Sequence, residues 1–350
     1  MKITDPVLAP DVSVWCDHIK ASEFEAGGCA SVVVGLYPIT VAGKWQLNPI
    51  CRNQCIQVAT NSSMVLQAYY WDDITLDPIK QADWVAETIL QEGLPVKFVW
   101  ADLEQWWTNW AAWANARECK GPWSAVPVAP AANISSHTQT FCAELAKSFP
   151  ASGVYTNNGF VSSWARGMNA WLPAYRQWVA QYLKEPKAVT QMSWAELAAN
   201  WLPDYDIALA SGQLPELVEG QQFTGDVCEL PGSYDQYGRE LPLDVSAFSK
   251  AFIDGLRGGP NPAAPTNSAP VVVSTPQPPA APVQLGMYQV IKTSWIFATA
   301  NDGAECKLVG STTLKEVVTV TVIAGDWAFV QPISGKSGWI RLANLTKVQP

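Results

Sequence analysis

The chain has 350 residues, of which 48% are hydrophobic and 15% charged, and its formal net charge is −9. This length predicts one large domain with an accessory domain, and the apolar content is enough for a sizeable core. The acidic balance argues against nucleic acid as a partner, because phosphate binding needs a surface rich in lysine and arginine.

The beginning of the chain, MKITDPVLAPDVSV, lacks the long apolar run of a secretory signal peptide. No stretch approaches the roughly 20 uninterrupted apolar residues of a membrane-spanning helix. We therefore expect a protein that is made in a cytoplasm without a signal peptide and does not insert into a membrane.

Residues 1–257 alternate short β-rich runs with amphipathic helical segments such as DPIKQADWVAETILQEG and SSHTQTFCAELAKSFP, the second starting at an N-cap serine. The predicted strands are APDVSVW, CASVVVGLY, MVLQAYYW, PVKFVWADLE, ASGVYTN, RQWVAQY, VEGQQF and LPLDVSAF. This alternation predicts a parallel sheet covered by helices. Eight strands favour a TIM-like (β/α) barrel, whose functional residues lie at the carboxyl ends of the strands.

Polar side chains fall at several of these strand ends. They are Asp11, Asp102, Glu104, Tyr155, Gln181, Tyr182, Gln222 and Asp244. Asp11 could instead cap a helix, and Asp244 could cap a final helix written VSAFSKAFIDGL. Both roles are compatible with a position in a pocket.

The run FVWADLEQWW carries two carboxylates one residue apart. On a strand, Asp102 and Glu104 point the same way, with Cα atoms about 6–7 Å apart. Glycoside hydrolysis uses two acidic groups about 5–9.5 Å apart around one sugar linkage, and one of them must stay protonated. Apolar rings raise the pKa of a buried carboxyl, so the neighbouring tryptophans suit that task.

The stretch WWTNWAAWA allows two interpretations, a sugar-stacking platform or a helix packed on the barrel. Helical spacing favours packing for Trp110 and Trp113. Trp106 and Trp107 adjoin the acids, which favours a functional role for these two.

Histidines and cysteines give little indication of chemistry. His18 and His137 are the only histidines, which argues against a zinc hydrolase, and no Cys/His pair lies on a recognisable nucleophile turn. Cys51 and Cys55 lie on one face of a predicted helix, where we expect two core thiols. We expect no metal and no cofactor.

A proline-rich segment, residues 258–283, predicts an extended linker after the first domain, residues 1–257. Residues 284–350 show short alternating strands with Gly-Asp and Gly-Lys turns, which predict a small all-β barrel.

The ordered motifs APDVSVW, VWADLEQW, WVAQY, GQQF and LPLDVSAF resemble those of glycoside hydrolase family 25 lysozymes. The resemblance covers about residues 9–250 and implies cleavage of the β-1,4 bond between N-acetylmuramic acid and N-acetylglucosamine in bacterial peptidoglycan. It implies Glu104 as the proton donor, and Asp102 as the group that positions the N-acetyl group or stabilises positive charge at the anomeric carbon. The pocket residues implied are Asp11, Asp244, Tyr69, Tyr155, Trp178, Gln181, Tyr182, Gln222 and Trp106.

This sequence departs from the family pattern at two positions. Cys16 lies where a glutamine is usual, and Gly35 lies where a basic residue commonly ends the second strand. The segments 106–130 and 184–217 are also longer than is typical. These departures concern contacts with substrate more than the acid pair.

The tail resembles bacterial SH3-like cell-wall-binding domains through YQV, GDWAFV and SGKSGWIRLANL. This likeness implies a module that holds the enzyme at its polymer, with Trp295 and Trp327 as candidate contacts or core residues and Trp339 as a core residue. The interpretation favoured is a monomeric phage endolysin, made in the host cytoplasm or carried on the virion. The alternatives are a noncatalytic wall-binding or virion protein with a decayed barrel, and a glycosidase acting on another N-acetylated polymer such as chitin.

Overall fold

The computed structural model describes residues 2–182, 189–202 and 206–258, and beyond them only the strands within residues 286–347. The chain divides into two compact units, Met1–Pro38 with Leu47–Thr266 and Ile39–Gln46 with Asn267–Pro350. The boundaries drawn from the sequence at residues 257 and 283 stay predictions.

The first unit is a closed barrel of eight strands. They are β1 (Pro6–Val12), β2 (Ser31–Gly35), β3 (Val65–Trp71), β4 (Phe98–Asp102), β5 (Gly153–Thr156), β6 (Arg176–Ala180), β7 (Val218–Tyr234) and β8 (Glu240–Ser249). Each overlaps one of the eight runs predicted as strands, so these predictions are confirmed, although β1, β7 and β8 extend beyond their runs. Shorter strands also occur at His18–Ile19, Pro38–Val41, Lys44–Leu47 and Thr190–Gln191.

The barrel differs from a uniform TIM-like (β/α) barrel in the direction of its last strand. Strands β1 to β7 pair in parallel, and β6 pairs with β7. Strand β8 runs antiparallel to both β7 and β1 and closes the barrel. The cause is the connection: residues 235–239 form a hairpin loop, whereas a parallel return needs a crossover of about a dozen residues or more.

Helices lie between the strands. They are α1 (Ala21–Ala26), α2 (Pro49–Asn61), α3 (Pro78–Gln91), α4 (Trp110–Arg117), α5 (Ala131–Ser148), α6 (Asn158–Trp164), α7 (Trp194–Trp201) and α8 (Lys250–Gly258). Single 3₁₀ turns occupy Trp123–Ala125, Arg166–Ala170, Leu172–Ala174 and Pro215–Leu217. Within the described part of the chain, no helix has the length and apolarity to cross a membrane.

Two of these helices, α3 and α5, correspond to the two helical segments predicted from the sequence, and their starting residues can be compared with the prediction. Helix α3 begins as predicted, and the Asp77 carboxylate caps it by accepting from the backbone N–H groups of Ile79 and Lys80. Helix α5 begins at Ala131, before the serines expected to cap it, because Ser135 is buried inside the helix and its hydroxyl accepts from Trp171 Nε1 at 3.2 Å. The predicted N-cap is therefore wrong.

The barrel interior is packed with aromatic rings. Trp100 and Trp178 are both fully buried, with ring centroids 5.7 Å apart. Their indole N–H groups donate to Gln67 Oε1 at 2.8 Å and to Ser246 Oγ at 2.9 Å, so neither is left unpaired. The core thus fills the barrel below the strand ends.

The strands described in the second unit form one antiparallel sheet, in agreement with the expected all-β tail. They are β9 (Gly286–Val290), β10 (Ser294–Phe297), β11 (Leu308–Thr312), β12 (Val317–Ala324), β13 (Trp327–Pro332), β14 (Gly338–Arg341) and β15 (Leu345–Lys347). Their order in the sheet is β11-β10-β14-β13-β12-β9-β15. The side chains of Trp295, Trp327 and Trp339 lie outside the described residues, and so does Cys306.

Candidate active site

Four predicted acids meet at one rim of the barrel. Asp11 on β1 and Asp244 on β8 are direct register partners across the antiparallel pair. Asp102 ends β4, and Glu104 follows two residues later. The charges of Asp244 and Glu104 both raise the pKa of Asp11, in addition to the effect of burial, so the four groups share one electrostatic environment.

The structure corrects the capping alternatives for two of these acids. Asp11 lies inside β1, and Asp244 lies inside β8, which continues to Ser249 before α8 begins at Lys250. Asp244 is also not at a carboxyl strand end. It lies at the same rim of the barrel as Asp11 because β8 runs antiparallel to β1.

Asp102 is the deepest of the acids, with 5% of its surface exposed. Its Oδ1 atom has no hydrogen-bond partner in the structure. Burial raises the pKa of Asp102 well above its ordinary value, and the charges of Glu104 and Asp11 raise it further. A buried oxygen without a partner favours the neutral carboxyl or a bound group that completes its hydrogen bonds.

Glu104 is partly exposed and lines a cleft. Burial of its carboxyl raises its pKa from 4.5 to about 7. A carboxyl with a pKa near neutrality holds a proton under ordinary conditions and can release it to a leaving oxygen.

Predicted tyrosines and glutamines surround the acids. Tyr155 donates to Gln222 Oε1 and is hydrogen bonded to Tyr182. Gln181 accepts from the backbone N–H of Ala208 at 2.5 Å, so it also holds a neighbouring loop. The structure brings Tyr155, Tyr182 and Gln222 together beside Glu104, whose charge raises the pKa of Tyr155.

The prediction for Trp178 as a substrate contact does not agree with the structure. Only 1% of its surface is exposed, and its ring packs on Tyr155 with centroids 4.4 Å apart. Trp178 points into the barrel, as the resemblance implies, but it lies below the rim, in the core. It supports the tyrosine that lies above it.

Gly35 explains one departure from the family pattern. A Cβ atom there would lie 2.6 Å from the Tyr37 ring and 2.7 Å from the Tyr69 ring. The two hydroxyls are 3.1 Å apart, and burial raises the pKa of both tyrosines, with a further increase from the charges of Asp102 and Asp11. A tyrosine pair therefore occupies the end of β2 where a basic residue is usual. Tyr37 was not among the predicted site residues. It lies two residues after the end of β2, just as Glu104 lies two residues after the end of β4.

Cys16, the second departure, lines a smaller pocket of about 260 Å³ with Asp11, Asp244 and Asp226. Burial raises the pKa of its thiol, which disfavours the nucleophilic thiolate. Asp226, on the part of β7 beyond Gln222, was not predicted. Its charge adds to those that raise the pKa of Asp11.

The remaining candidates for chemistry have structural roles. His137 Nε2 lies 2.9 Å from Asp72 Oδ1, so the hydrogen-bond partner of this histidine is an aspartate and not a cysteine. Cys51 and Cys55 are buried in α2, as expected. No cluster of histidine, cysteine and acidic side chains suited to a metal ion occurs among the residues that the structure describes.

A cleft of about 710 Å³ opens beside Glu104. Its aromatic lining comprises Trp15, Tyr37, Tyr70, Trp71, Trp106, Trp107, Trp110, Trp113, Phe160 and Trp164. Trp110, expected to pack, is 43% exposed, whereas Trp107, expected to be functional, is 3% exposed. Helix α4 begins only at Trp110, so the helical spacing assumed for the whole stretch does not hold.

The family model described as "Glycosyl hydrolases family 25" matches residues 10–201, which include Asp11, Asp102 and Glu104. The chain belongs to this family. As a family 25 member it is a glycoside hydrolase, and the paired acids at the rim of its barrel agree with that activity. No curated protein matches the sequence.

Three solved structures are similar to this family 25 chain at low sequence identity. The bacterial lysozyme from Streptomyces coelicolor is 14% identical, with 73% of this chain and 98% of that chain covered and a TM-score of 0.47. The muramidase from Acremonium alcalophilum is 14% identical, with 73% and 100% covered and a TM-score of 0.46. A family 25 glycosyl hydrolase from Bacillus anthracis is 13% identical, with 69% and 88% covered and a TM-score of 0.45.

Proposed function

We propose that this protein is a peptidoglycan hydrolase, an N-acetylmuramidase that cleaves the β-1,4 bond between N-acetylmuramic acid and N-acetylglucosamine. The observation that carries the proposal is Glu104, whose burial raises its pKa to about 7 at the edge of a cleft of about 710 Å³. Membership of family 25 supports the choice of polymer.

In the proposed reaction Glu104 gives its proton to the glycosidic oxygen as the bond to the anomeric carbon breaks. Positive charge develops on the sugar, and the acids Asp11 and Asp244 stabilise it. Asp102 positions the N-acetyl group of the substrate or stabilises the charge at the anomeric carbon. Water then adds to the anomeric carbon, and its proton returns to Glu104.

The proposed binding residues fall into two groups. Tyr69, Tyr155, Tyr182 and Gln222 lie close to the acids, and their hydroxyl and amide groups suit the hydroxyls of a sugar. Gln181 orders the loop beside them. Trp106 lies in the cleft, where its ring suits stacking on a pyranose face.

The proposed biological setting is lysis of a bacterium by a phage endolysin. The enzyme would be made in the host cytoplasm and act on the wall as a monomer, with the tail as a wall-binding SH3-like module. These details come from the sequence resemblance and are proposals alone.

The test of the catalytic assignment is Glu104→Gln, assayed by release of reducing ends from purified peptidoglycan. We expect a loss of at least about a hundredfold, because general acid catalysis contributes about 10²–10⁴-fold. At pH 5, where wild-type Glu104 is neutral like glutamine, the thermal unfolding midpoint should stay within about 2 °C.

The matched control is Glu87→Gln, which removes an exposed acid of α3 that does not line the cleft. It should leave activity unchanged. A Glu104→Gln variant that remains active would overturn the assignment of the donor.

Mass spectrometry of the fragments separates the rival functions. A muramidase leaves muramic acid at the reducing end, whereas a glycosidase with the opposite bond preference leaves N-acetylglucosamine there. Wild-type protein that pellets with purified sacculi and releases no reducing ends would instead support the noncatalytic wall-binding alternative.

A further inference from the structure

Residues 105–130, here called the tryptophan module, fold as a compact unit directly after Glu104. The backbone N–H of Thr108 donates to Pro127 O at 3.0 Å, and that of Ala129 donates to Trp106 O at 3.0 Å. These bonds close a loop that contains α4. The module has its own apolar cluster, in which Trp107, Ala116 and Val126 are buried.

Stacked indole pairs hold the rings of the module in fixed positions. Trp107 stacks on Trp113, with centroids 4.4 Å apart and planes 10° apart. Trp106 stacks on Trp164 of α6 at 4.5 Å and 11°. Rings held in this way present flat, preorganised surfaces, which lowers the entropy lost when a ligand binds.

Trp110 is oriented by a partly buried polar network. Its Nε1 donates to Asp73 Oδ2 at 3.0 Å, while Asp73 Oδ1 accepts from Gln105 Nε2 at 3.1 Å. Gln105, 1% exposed, also accepts from Trp71 Nε1 at 2.9 Å. The hydrogen bond fixes the edge of the Trp110 indole, and 43% of the residue stays exposed. Because Gln105 follows Glu104 directly, the same network ties the module to the catalytic acid.

We propose that the tryptophan module is an additional glycan-binding subsite, which holds sugar rings of the strand beyond the two that flank the cleaved bond. The inference rests on the proposed function, since a glycan must reach Glu104. Trp110, 43% exposed, stacks on the apolar face of a pyranose ring, and Asp73 and Asn157 in the same cleft form hydrogen bonds with the ring hydroxyls.

A glycan fits this cleft better than an acyl chain. The apolar rings alternate with polar groups, namely Asp73, Glu104 and Asn157, and an acyl chain would displace water from these groups without offering them a hydrogen bond. The cleft is also continuous with the carboxyl that we assign as proton donor. Its volume lies within the range of about 300–1,000 Å³ that is typical of ligand sites.

The experiment measures binding of peptide-free peptidoglycan glycans of two and of six sugars to the full-length Glu104→Gln protein by calorimetry. The loss of at least about a hundredfold in turnover expected in this background keeps the ligands largely intact during the measurement. We expect the six-sugar glycan to bind more tightly than the disaccharide. Adding Trp110→Ala should weaken binding of the six-sugar glycan by about tenfold, equivalent to about 1.4 kcal/mol, and leave the disaccharide affinity unchanged.

Tyr237→Ala is the control, because Tyr237 is an aromatic residue 62% exposed in the hairpin loop 235–239 and does not line the cleft. It should change neither affinity. Equal effects of Trp110→Ala and Tyr237→Ala, or an equal loss for both glycans in Trp110→Ala, would overturn the proposal. So would tight binding of phosphatidylcholine vesicles together with no preference for the longer glycan.

The outcome is separable from that of the proposed function. A wild-type enzyme that releases no reducing ends from peptidoglycan refutes the hydrolase, whatever the Trp110→Ala variant binds. A wild-type enzyme that releases them, together with a Trp110→Ala variant of unchanged affinity, refutes the subsite alone.

Discussion

At the scale of single residues, the properties of Glu104 follow from its place in the chain just after β4 and from its partial burial. Glu104 lies two residues beyond the last residue of β4, so the backbone has already left the sheet. Its carboxyl therefore reaches the cleft, whereas Asp102 stays under the rim at 5% exposure. Two acids of similar chemistry thus have different access to substrate.

The first prediction concerns the pH dependence of hydrolysis. Since the pKa of Glu104 is raised to about 7, the proton donor is present below that pH and is lost above it. We expect kcat/KM on soluble glycan to fall about tenfold for each pH unit beyond about 7. A rate that stays constant from pH 6 to pH 9 would contradict the assignment.

The same ionisation affects stability. The pKa of Glu104 is higher in the folded chain than its ordinary 4.5. The wild-type protein therefore has its full free energy of unfolding below about pH 4.5 and loses part of it as the pH rises through 7, when folding must bury a charged carboxylate. Glu104→Gln cannot ionise, so the variant does not lose stability in this way. At 1.36 kcal/mol per pH unit between the two pKa values, the variant should be up to about 3 kcal/mol more stable than wild type at pH 8.

The measurement is denaturant unfolding of both proteins at pH 4 and pH 8, followed by tryptophan fluorescence. The two proteins should have nearly equal free energies of unfolding at pH 4 and diverge at pH 8. Equal values at pH 8 would mean that Glu104 titrates near its ordinary pKa.

The sequence identified the acids because parallel strands place their ends at one rim. Asp11, Asp102 and Glu104 follow from that rule. It could not find Asp226, which lies on an extension of β7 beyond the predicted run, or separate Trp178 in the core from residues above it. Alternation along a strand tells which face a side chain takes but not its depth in the barrel.

At the scale of elements, the strands were predictable and their directions were less so. All eight runs became strands because each is rich in β-branched or aromatic residues between turn signals. The reversal of β8 depends on the hairpin at residues 235–239. A prediction of repeated β/α units has no place for such a hairpin. The start of α5 was also misplaced, since a buried serine and a capping serine look alike in a sequence.

The packing of β4 against β5 gives a prediction at this scale. A Cβ atom at Gly153 would lie 2.4 Å from the Trp100 ring and 3.0 Å from a backbone oxygen of Arg176. Gly153→Ala should therefore lower the free energy of unfolding by about 1–3 kcal/mol, because Trp100 is enclosed and has no room to move.

Gly255→Ala is its control, since Gly255 lies in α8 with open space around its Cβ position. That substitution should raise the stability by about 0.5–1 kcal/mol. Equal effects of the two substitutions in denaturant unfolding would show that strand packing around Trp100 is looser than described.

At the scale of the whole molecule, the proposed wall-binding tail should act through local concentration. Deletion of residues 259–350 should leave hydrolysis of soluble glycan within about threefold. It should weaken co-sedimentation with purified sacculi by about a hundredfold or more, the range expected when a second attachment is lost. A truncated protein that pellets as well as the full chain would contradict the role proposed for the tail.

The closure of the barrel by its first and last strands affects when the enzyme becomes active. Pro6 pairs with Ser249 and Asp11 with Asp244, so the two ends of the barrel sequence lie side by side. During synthesis the amino-terminal strand must wait for residues near 249 to leave the ribosome before the four acids can assemble. A nascent or prematurely terminated chain therefore lacks Asp244 beside Asp11, and the four acids come together only once the whole barrel sequence has been translated.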